Sequence, residues 1–192
     1  MARLVHKTTA RRAELFDQLV ELFLSEGFAH LTLDEISARL HCSKSTLYTV
    51  AAGKEDLVRA VTVHFFRAAT DAVESAVAAE TAPTRRVAVY LEAVGDRLSA
   101  ASSQFMEDLA ESVSASQVYE KNTSIAADRV RSLIVEGVGS GAFRQVHASF
   151  VADAAAATMV RIQQRAVYRA TGLDDASAYR ELAALITDGI TA

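Results

Sequence analysis

Cysteine and proline are almost missing from this 192-residue chain, in which Cys42 and Pro83 are the single residues of their types. One cysteine excludes an intrachain disulfide and a metal site built from several cysteines, as is typical of a reducing compartment. No uninterrupted apolar run approaches the ~18 residues of a membrane span, and Met1 is not followed by the apolar stretch of a signal peptide. We therefore expect a cytoplasmic protein that has no membrane partner.

Motifs for catalysis and metal binding are absent as well. The five histidines are scattered, and the sequence contains neither an H-E-x-x-H motif nor a histidine pair at metal-ligand spacing. The glycines in residues 137–143 fall between two expected helices and form no phosphate-binding loop. We expect no metal, no cofactor and no enzyme activity.

What the sequence does contain is helical periodicity. Alanine is abundant, apolar residues recur at helical spacing, and no sustained period-two alternation argues for a sheet. The fold class is therefore predicted to be all-α, with about nine helices. Their expected ranges are 8–26, 33–40, about seven residues after Ser43, 55–79, 84–100, 102–113, 117–138, 148–170 and 176–190.

The second and third helices are short and close together. Thr32 and Glu35 fit the capping box of a helix start, and Ser43 is placed to cap the next helix through its hydroxyl. A helix of about seven residues is unstable alone, so something must pack behind it. The apolar positions Ile36, Leu40, Cys42 and Leu47 serve that purpose and leave Lys44, Ser45, Tyr48 and Thr49 facing outward. This pattern predicts a helix-turn-helix, whose second helix enters the DNA major groove.

The stretch "LFLSEGFAHLTLDEISARLHCSKSTLYTVAAGKEDLVRAV" resembles the TetR-type transcriptional regulators. The resemblance covers about Arg12 to Val61, roughly a quarter of the chain. It implies DNA contacts from the helix-turn-helix, including a phosphate contact by the Tyr48 hydroxyl, and a phosphate site at Lys54, where the next helix begins. The competing interpretations are an ordinary solvated helix face and, for the first residues, a soluble tail. The predicted DNA-binding residues are Thr32, Ser43, Lys44, Ser45, Thr46, Tyr48, Thr49 and Lys54, with a basic N-terminal arm of Arg3, Lys7, Arg11 and Arg12.

Three positions depart from the family pattern. Ser37 in the second helix, where the family usually has alanine, is a mild change that keeps the volume, and His41 and Ala51 are the other two. His41 stands in the turn where the family usually has glycine. If that turn keeps positive φ, a non-glycine residue costs ~1 kcal/mol, although histidine is among the better-tolerated residues there. Ala51 stands where the family usually has an aromatic residue. These last two departures motivate an alternative function, a helical small-molecule binding or interaction protein with weakened or lost DNA binding.

The rest of the chain predicts a helical body. We expect a DNA-binding domain at residues 1–54 and a ligand-binding and dimerisation domain at residues 55–192, joined by the long fourth helix. In the TetR-type arrangement, the middle helices hold a small hydrophobic effector and the last two helices form the dimer. Core packing is the competing role for each of these side chains. The candidate ligand residues are His64, Phe65, Tyr90, Gln104, Phe105, Met106, Tyr119 and Gln163, and the candidate interface residues are Phe150, Ala155, Met159, Ile162, Leu182 and Ile186.

The leading hypothesis is a dimeric, ligand-responsive transcriptional repressor that a small hydrophobic effector releases from a palindromic operator in double-stranded DNA. The formal net charge of −4 repels a polyanion on average. DNA binding must therefore rest on a local basic surface. The first twelve residues supply one, because they hold four cations and no acid.

Overall fold

The computed structural model describes residues 2–191, with side chains from Arg11 onward, and confirms the predicted all-α class. No strand occurs in residues 2–191. The helices are α1 (Ala2–Glu26), α2 (Leu33–Arg39), α3 (Lys44–Tyr48), α4 (Lys54–Ala79), α5 (Arg86–Leu98), α6 (Ser103–Glu111), α7 (Val113–Gly139), α8 (Ala148–Gln163), α9 (Ala166–Thr171) and α10 (Asp175–Ile190). A 3-10 turn at Pro83–Arg85 precedes α5.

Two helix boundaries differ clearly from the sequence prediction. Helix α1 begins at Ala2 rather than near residue 8, because residues 2–7 contain good helix formers and neither proline nor glycine. The helix predicted over 148–170 is divided into α8 and α9. Arg165 lies between them in the left-handed conformation, with φ of 59°. The polypeptide therefore turns where an uninterrupted periodic pattern predicted one helix.

The chain divides into two packing units, each with its own core. The N-terminal unit comprises residues 2–67 and 101–118, and the C-terminal unit comprises residues 68–100 and 119–191. Helix α6 is therefore part of the same unit as the first three helices, whereas the sequence analysis placed its residues in the helical body. The functional boundary between residues 54 and 55 stays a prediction.

Aromatic side chains dominate the core of the N-terminal unit. Phe23 and Phe28 have ring centroids 5.4 Å apart, and Phe28 meets Phe105 of α6 edge-on at 6.0 Å. Phe105 meets Phe65 of α4 edge-on, also at 6.0 Å. Leu19, Ile36 and Leu47 are buried in the same unit. One apolar core thus holds together α1, both short helices, the first part of α4 and α6.

The C-terminal unit is organised around α10, which packs against α5 and α8. Gly95 permits a close approach of α5, since a Cβ atom there would lie 2.9 Å from the carbonyl oxygen of Ala176. Asp175 accepts a hydrogen bond from the buried guanidinium of Arg165 at 2.6 Å. Burial raises the pKa of Asp175, and Arg165 partly offsets that rise. This ion pair fixes the break between α8 and α9 to the start of α10.

The turn between α2 and α3 contains the expected departure from ordinary backbone geometry. His41 has φ of 49°, which is the left-handed region that favours glycine. The amide of Cys42 donates to the Ser37 carbonyl oxygen at 2.9 Å, so the turn closes on α2. The turn therefore has the positive φ on which the cost of a non-glycine residue at position 41 depends.

We expect His41→Val to lower the free energy of unfolding by about 1–2 kcal/mol, because a β-branched residue is poorly tolerated at positive φ. His41→Gly should change it by less than about 1 kcal/mol, since strain relief opposes the greater chain entropy of glycine. Urea denaturation followed by circular dichroism measures both. His30→Val is the control at an exposed turn residue without positive φ. Equal losses from the two valine variants would contradict the strain at His41.

Candidate nucleic-acid interface

Helix α2 starts with the capping box that the sequence predicts. The amide of Thr32 donates to the Glu35 carboxylate at 2.7 Å, and the amide of Glu35 donates to the Thr32 hydroxyl oxygen at 3.2 Å. The hydrogen bond from the Thr32 backbone is the main cause of a lowered pKa at Glu35. These reciprocal bonds satisfy donors that a helix start leaves open, and they set the direction of a helix of only seven residues.

Helix α3 has a cap of its own. Ser43 accepts a hydrogen bond from the amide of Thr46 at 3.2 Å, and its hydroxyl shares hydrogen bonds with the Ser45 and Thr46 hydroxyls. Leu47 is 1% exposed, whereas Tyr48 is 53% exposed. Lys44, Ser45 and Thr49 are also exposed. The helix therefore has one buried anchor and a polar face that is open to a partner.

Two lysines on this surface have intrachain partners. Lys44 pairs with the Asp34 carboxylate of α2 at 2.6 Å, and this hydrogen bond raises the pKa of Lys44. Lys54 donates to the carbonyl oxygen of Ala29 at 2.6 Å. An ammonium group has three N–H donors, so each of these lysines keeps donors for a further acceptor. These intrachain contacts hold both ammonium groups near the short helices.

The predicted basic arm is only partly described. Arg11 and Arg12 are exposed on α1, and the guanidinium of Arg12 lies 5.8 Å from the centre of the Phe16 ring. Arg3 and Lys7 lie outside the residues whose side chains are described. A role of the arm in DNA binding stays a prediction.

Five of the eight predicted ligand residues lie in the N-terminal unit. Phe65, Phe105 and Met106 are buried there. His64 shares a hydrogen bond with the Asp17 carboxylate at 3.0 Å, and Gln104 donates to Asp108 at 2.8 Å. The crevice bordered by Phe65 and Phe105 leaves no volume for a water molecule. In this unit the aromatic candidates act as core residues.

The other three ligand candidates lie in the C-terminal unit and are buried: Tyr90, Tyr119 and Gln163. Burial is the main cause that raises the pKa of Tyr90 to about 12 and that of Tyr119 well above its usual value. The Tyr119 hydroxyl donates to Asp175 at 3.5 Å. Both phenols therefore stay protonated at neutral pH.

The predicted interface residues need a correction. Phe150 is 71% exposed, but Ala155, Met159, Ile162, Leu182 and Ile186 are each less than 9% exposed. These five side chains fill the core of the C-terminal unit and offer no surface to a second chain. The apolar side chains that α8 and α10 leave open are Phe150, Val160 and Leu185. The periodicity identified the apolar faces of these helices, but it did not show which apolar residues are buried within the single chain.

Two acidic residues of the N-terminal unit were missed in the sequence. Asp34 holds Lys44, and Asp108 accepts hydrogen bonds from the amides of Phe28 and Ala29 at 2.5 and 2.7 Å. Asp108 is 80 residues from Phe28 in the chain. No local sequence pattern identifies a hydrogen-bond partner that distant. Asp34, in contrast, lies between the two capping-box residues Thr32 and Glu35 and could have been identified from the sequence.

The described part of the chain lacks both a cluster of metal-ligating side chains and a membrane-spanning helix. Among those residues, no group of three or more histidine, cysteine, aspartate or glutamate side chains is placed to hold a metal ion. No described helix is both long enough and apolar enough to span a membrane. Burial raises the pKa of the Cys42 thiol, which disfavours its reactive thiolate.

Residues 15–61 match the family model described as bacterial regulatory proteins, tetR family. That segment contains α2, α3, both caps and Lys54. No curated protein matches the chain.

Solved structures extend the likeness over nearly all of the chain. A TetR transcription regulator from Haloarcula marismortui has a TM-score of 0.72 and 17% identity, covering 95% of this chain and 100% of its own. A regulator from Saccharomonospora viridis in complex with choline has a TM-score of 0.72 and 16% identity, covering 96% and 99%. The fatty acid degradation regulator FadR from Bacillus halodurans has a TM-score of 0.67 and 15% identity, covering 91% and 93%. At these identities the likeness establishes a shared fold.

Proposed function

Because residues 15–61 match the family model of bacterial regulatory proteins, tetR family, and the chain shares the fold of solved TetR regulators, we propose that it is a dimeric transcriptional repressor. It binds a palindromic operator in double-stranded DNA and leaves it when a small hydrophobic effector binds. Its place of action is the cytoplasm. Residues 1–54 contact DNA, and residues 55–192 supply the effector site and the dimer.

The observation that carries the proposal is the exposed polar face of α3. Lys44, Ser45 and Thr49 are open to solvent on a helix that is anchored from behind by Leu47. The recognition helix of a helix-turn-helix presents its N-terminal side chains to base edges in the major groove. Ser43 and Thr46 lie at the same helix start, and the exposed hydroxyl of Tyr48 suits a phosphate oxygen. Thr32 caps the start of α2, and we propose a phosphate contact as its second role.

Lys54 is our candidate for the principal phosphate contact. It is the first residue of α4, and a helix start leaves backbone amides without intrahelical acceptors. The positive end of the helix dipole favours an anion at the same place. Its bond to Ala29 restrains the side chain before DNA arrives.

We expect Lys54→Ala to weaken binding to operator and nonoperator duplexes alike, because a phosphate contact carries no sequence information. The slope of log affinity against log salt should become shallower by about two, because each of the two subunits of the dimer loses one phosphate contact. Fluorescence anisotropy across salt concentrations measures both quantities. Lys121→Ala, which removes an exposed lysine of α7, is the matched control. A Lys54→Ala slope equal to that of wild type and Lys121→Ala would refute the phosphate contact.

A palindromic operator calls for a twofold-symmetric protein. Helices α8 and α10 present Phe150, Val160 and Leu185 to solvent, and Phe150 and Leu185 are each more than 70% exposed. Large apolar side chains left open on neighbouring helices are what a protein interface covers. We therefore assign the dimer to the outer faces of these two helices.

Wild-type protein should have a mass near twice 20.6 kDa in light scattering. Leu185→Glu should shift the population toward monomer while preserving the helical circular dichroism spectrum, because the new charge would be desolvated only in the dimer. Ile125→Glu is the control, since Ile125 is an exposed apolar residue of α7. A monomeric wild type, or equal dissociation in both variants, would overturn the assignment.

The effector is proposed to be small and largely hydrophobic. Tyr90, Tyr119 and Gln163 are our preferred contacts, because these candidates carry polar groups inside the C-terminal unit, whereas Phe65 and Phe105 contact each other in the N-terminal unit. Proteins of the same fold include a regulator of fatty acid degradation and a ketosteroid regulator from Mycobacterium tuberculosis. Another is in complex with choline, a cation. These comparisons motivate the ligand classes to be tested.

A fatty acid, a ketosteroid and choline should be added separately to the protein–DNA complex. We expect a hydrophobic ligand to raise the melting temperature of the protein and to weaken DNA binding by roughly 5- to 150-fold, the usual range of allosteric coupling. Thermal shift and anisotropy report the two effects. Stabilisation by a hydrophobic ligand without any loss of DNA affinity would contradict effector-driven release.

A further inference from the structure

Asp108 is a buried carboxylate that contacts the backbone of the turn after α1. One of its oxygens accepts from the amides of Phe28 and Ala29 at 2.5 and 2.7 Å, and the other accepts from the Gln104 side chain at 2.8 Å. The residue is 3% exposed. Among the described side chains of the N-terminal unit, it is the one buried acid, and no salt bridge joins it to a cation in that set. Hydrogen bonds from neutral donors must therefore stabilise its charge.

The neighbouring backbone is shaped to admit this carboxylate. Gly27 has φ of 81°, and a Cβ atom at that residue would lie 2.5 Å from an Asp108 oxygen. The amide of Ser102, just before α6, donates to the carbonyl oxygen of Leu24 near the end of α1 at 2.8 Å. The start of α6 is thus fixed to the end of α1 by bonds to backbone groups that no helical partner satisfies.

Ala29 joins Asp108 to Lys54. Its amide donates to Asp108 at 2.7 Å, and its carbonyl oxygen accepts from the Lys54 ammonium at 2.6 Å. Residues 28 and 29 lie in no helix, so their backbone has no ladder of hydrogen bonds to hold it. The Asp108 carboxylate instead binds these two amides, and it thereby holds in place the Ala29 carbonyl oxygen that accepts from Lys54.

We propose that Asp108 is a positioning residue for DNA binding, which holds the Ala29 carbonyl and through it the Lys54 ammonium in place for a phosphate. This inference rests on the proposed function, because Lys54 has to contact DNA for its position to matter. It assigns to α6 a part in the DNA-binding surface, although α6 itself contributes no exposed contact to it. Without the carboxylate, the turn at residues 28–29 moves and Lys54 loses its fixed acceptor.

Substitution of Asp108 tests the proposal in the full-length protein, with a mixed-sequence DNA duplex as the probe. Asp108→Ala should weaken binding by roughly five- to tenfold near 0.1 M salt and make the salt slope shallower by about two, as expected when each subunit of the dimer loses one phosphate contact. The double variant with Lys54→Ala should bind no more weakly than Lys54→Ala alone, since both changes remove the same contact.

Asp108→Asn is the conservative variant that should restore binding to within about twofold of wild type. Its side-chain oxygen can accept from both amides, and its NH₂ group can donate to Gln104 once that amide has rotated. Thr62→Val is the matched control, because it removes a different buried hydrogen bond of the same unit. It should leave the salt slope unchanged whatever its effect on melting temperature.

Each outcome decides between positioning and folding. A folded Asp108→Ala protein with the wild-type affinity and slope overturns the inference, and so does additive loss in the double variant. Should Asp108→Ala fail to fold, Asp108→Ser takes its place, and unfolding of both assigns Asp108 to folding alone and overturns the proposal. A wild-type protein that shows no salt-dependent binding to any duplex overturns the proposed function instead, which separates the two failures.

Discussion

A helix of five residues has no stability of its own in water, and the surface proposed to bind DNA is built on such a helix. Helix α3 persists because Leu47 is buried and because the Ser43 hydroxyl accepts from the amide of Thr46. Helix α2 depends in the same way on Ile36 and on the capping box at Thr32. Local caps define where these helices begin, and the shared apolar core supplies the free energy that holds them.

Intrachain contacts also explain how a protein with a net negative charge can present a surface that attracts DNA. The chain has a formal net charge of −4, so attraction to DNA has to come from a few cations in fixed positions. Lys44 and Lys54 each have an intrachain acceptor at 2.6 Å, which restrains them near the short helices. A restrained lysine loses less side-chain entropy on binding than a free one. Asp108 extends this restraint to the backbone that supplies the acceptor for Lys54.

Features set by neighbouring residues were predictable from the sequence, and features set by distant partners were not. The capping box at Thr32 and the Ser43 cap both follow from local chemistry, and each is present. The break at Arg165 depends on Asp175 of the next long helix, and the turn after α1 depends on Asp108. Burial of Ala155 likewise depends on which face α8 turns toward α10. A periodic pattern shows that a face is apolar, but it does not identify what covers it.

Selection of binding sites from a random pool of DNA duplexes tests the central claim most directly, because it requires no knowledge of the operator. Full-length protein should enrich an inverted repeat whose half-sites have centres about one helical turn, or a multiple of it, apart. Enrichment should be lost when the exposed side chains of α3, Lys44 and Tyr48, are both replaced by alanine. A pool that gains no common sequence with folded wild-type protein, or that gains the same repeat with the α3 variant, would contradict the account.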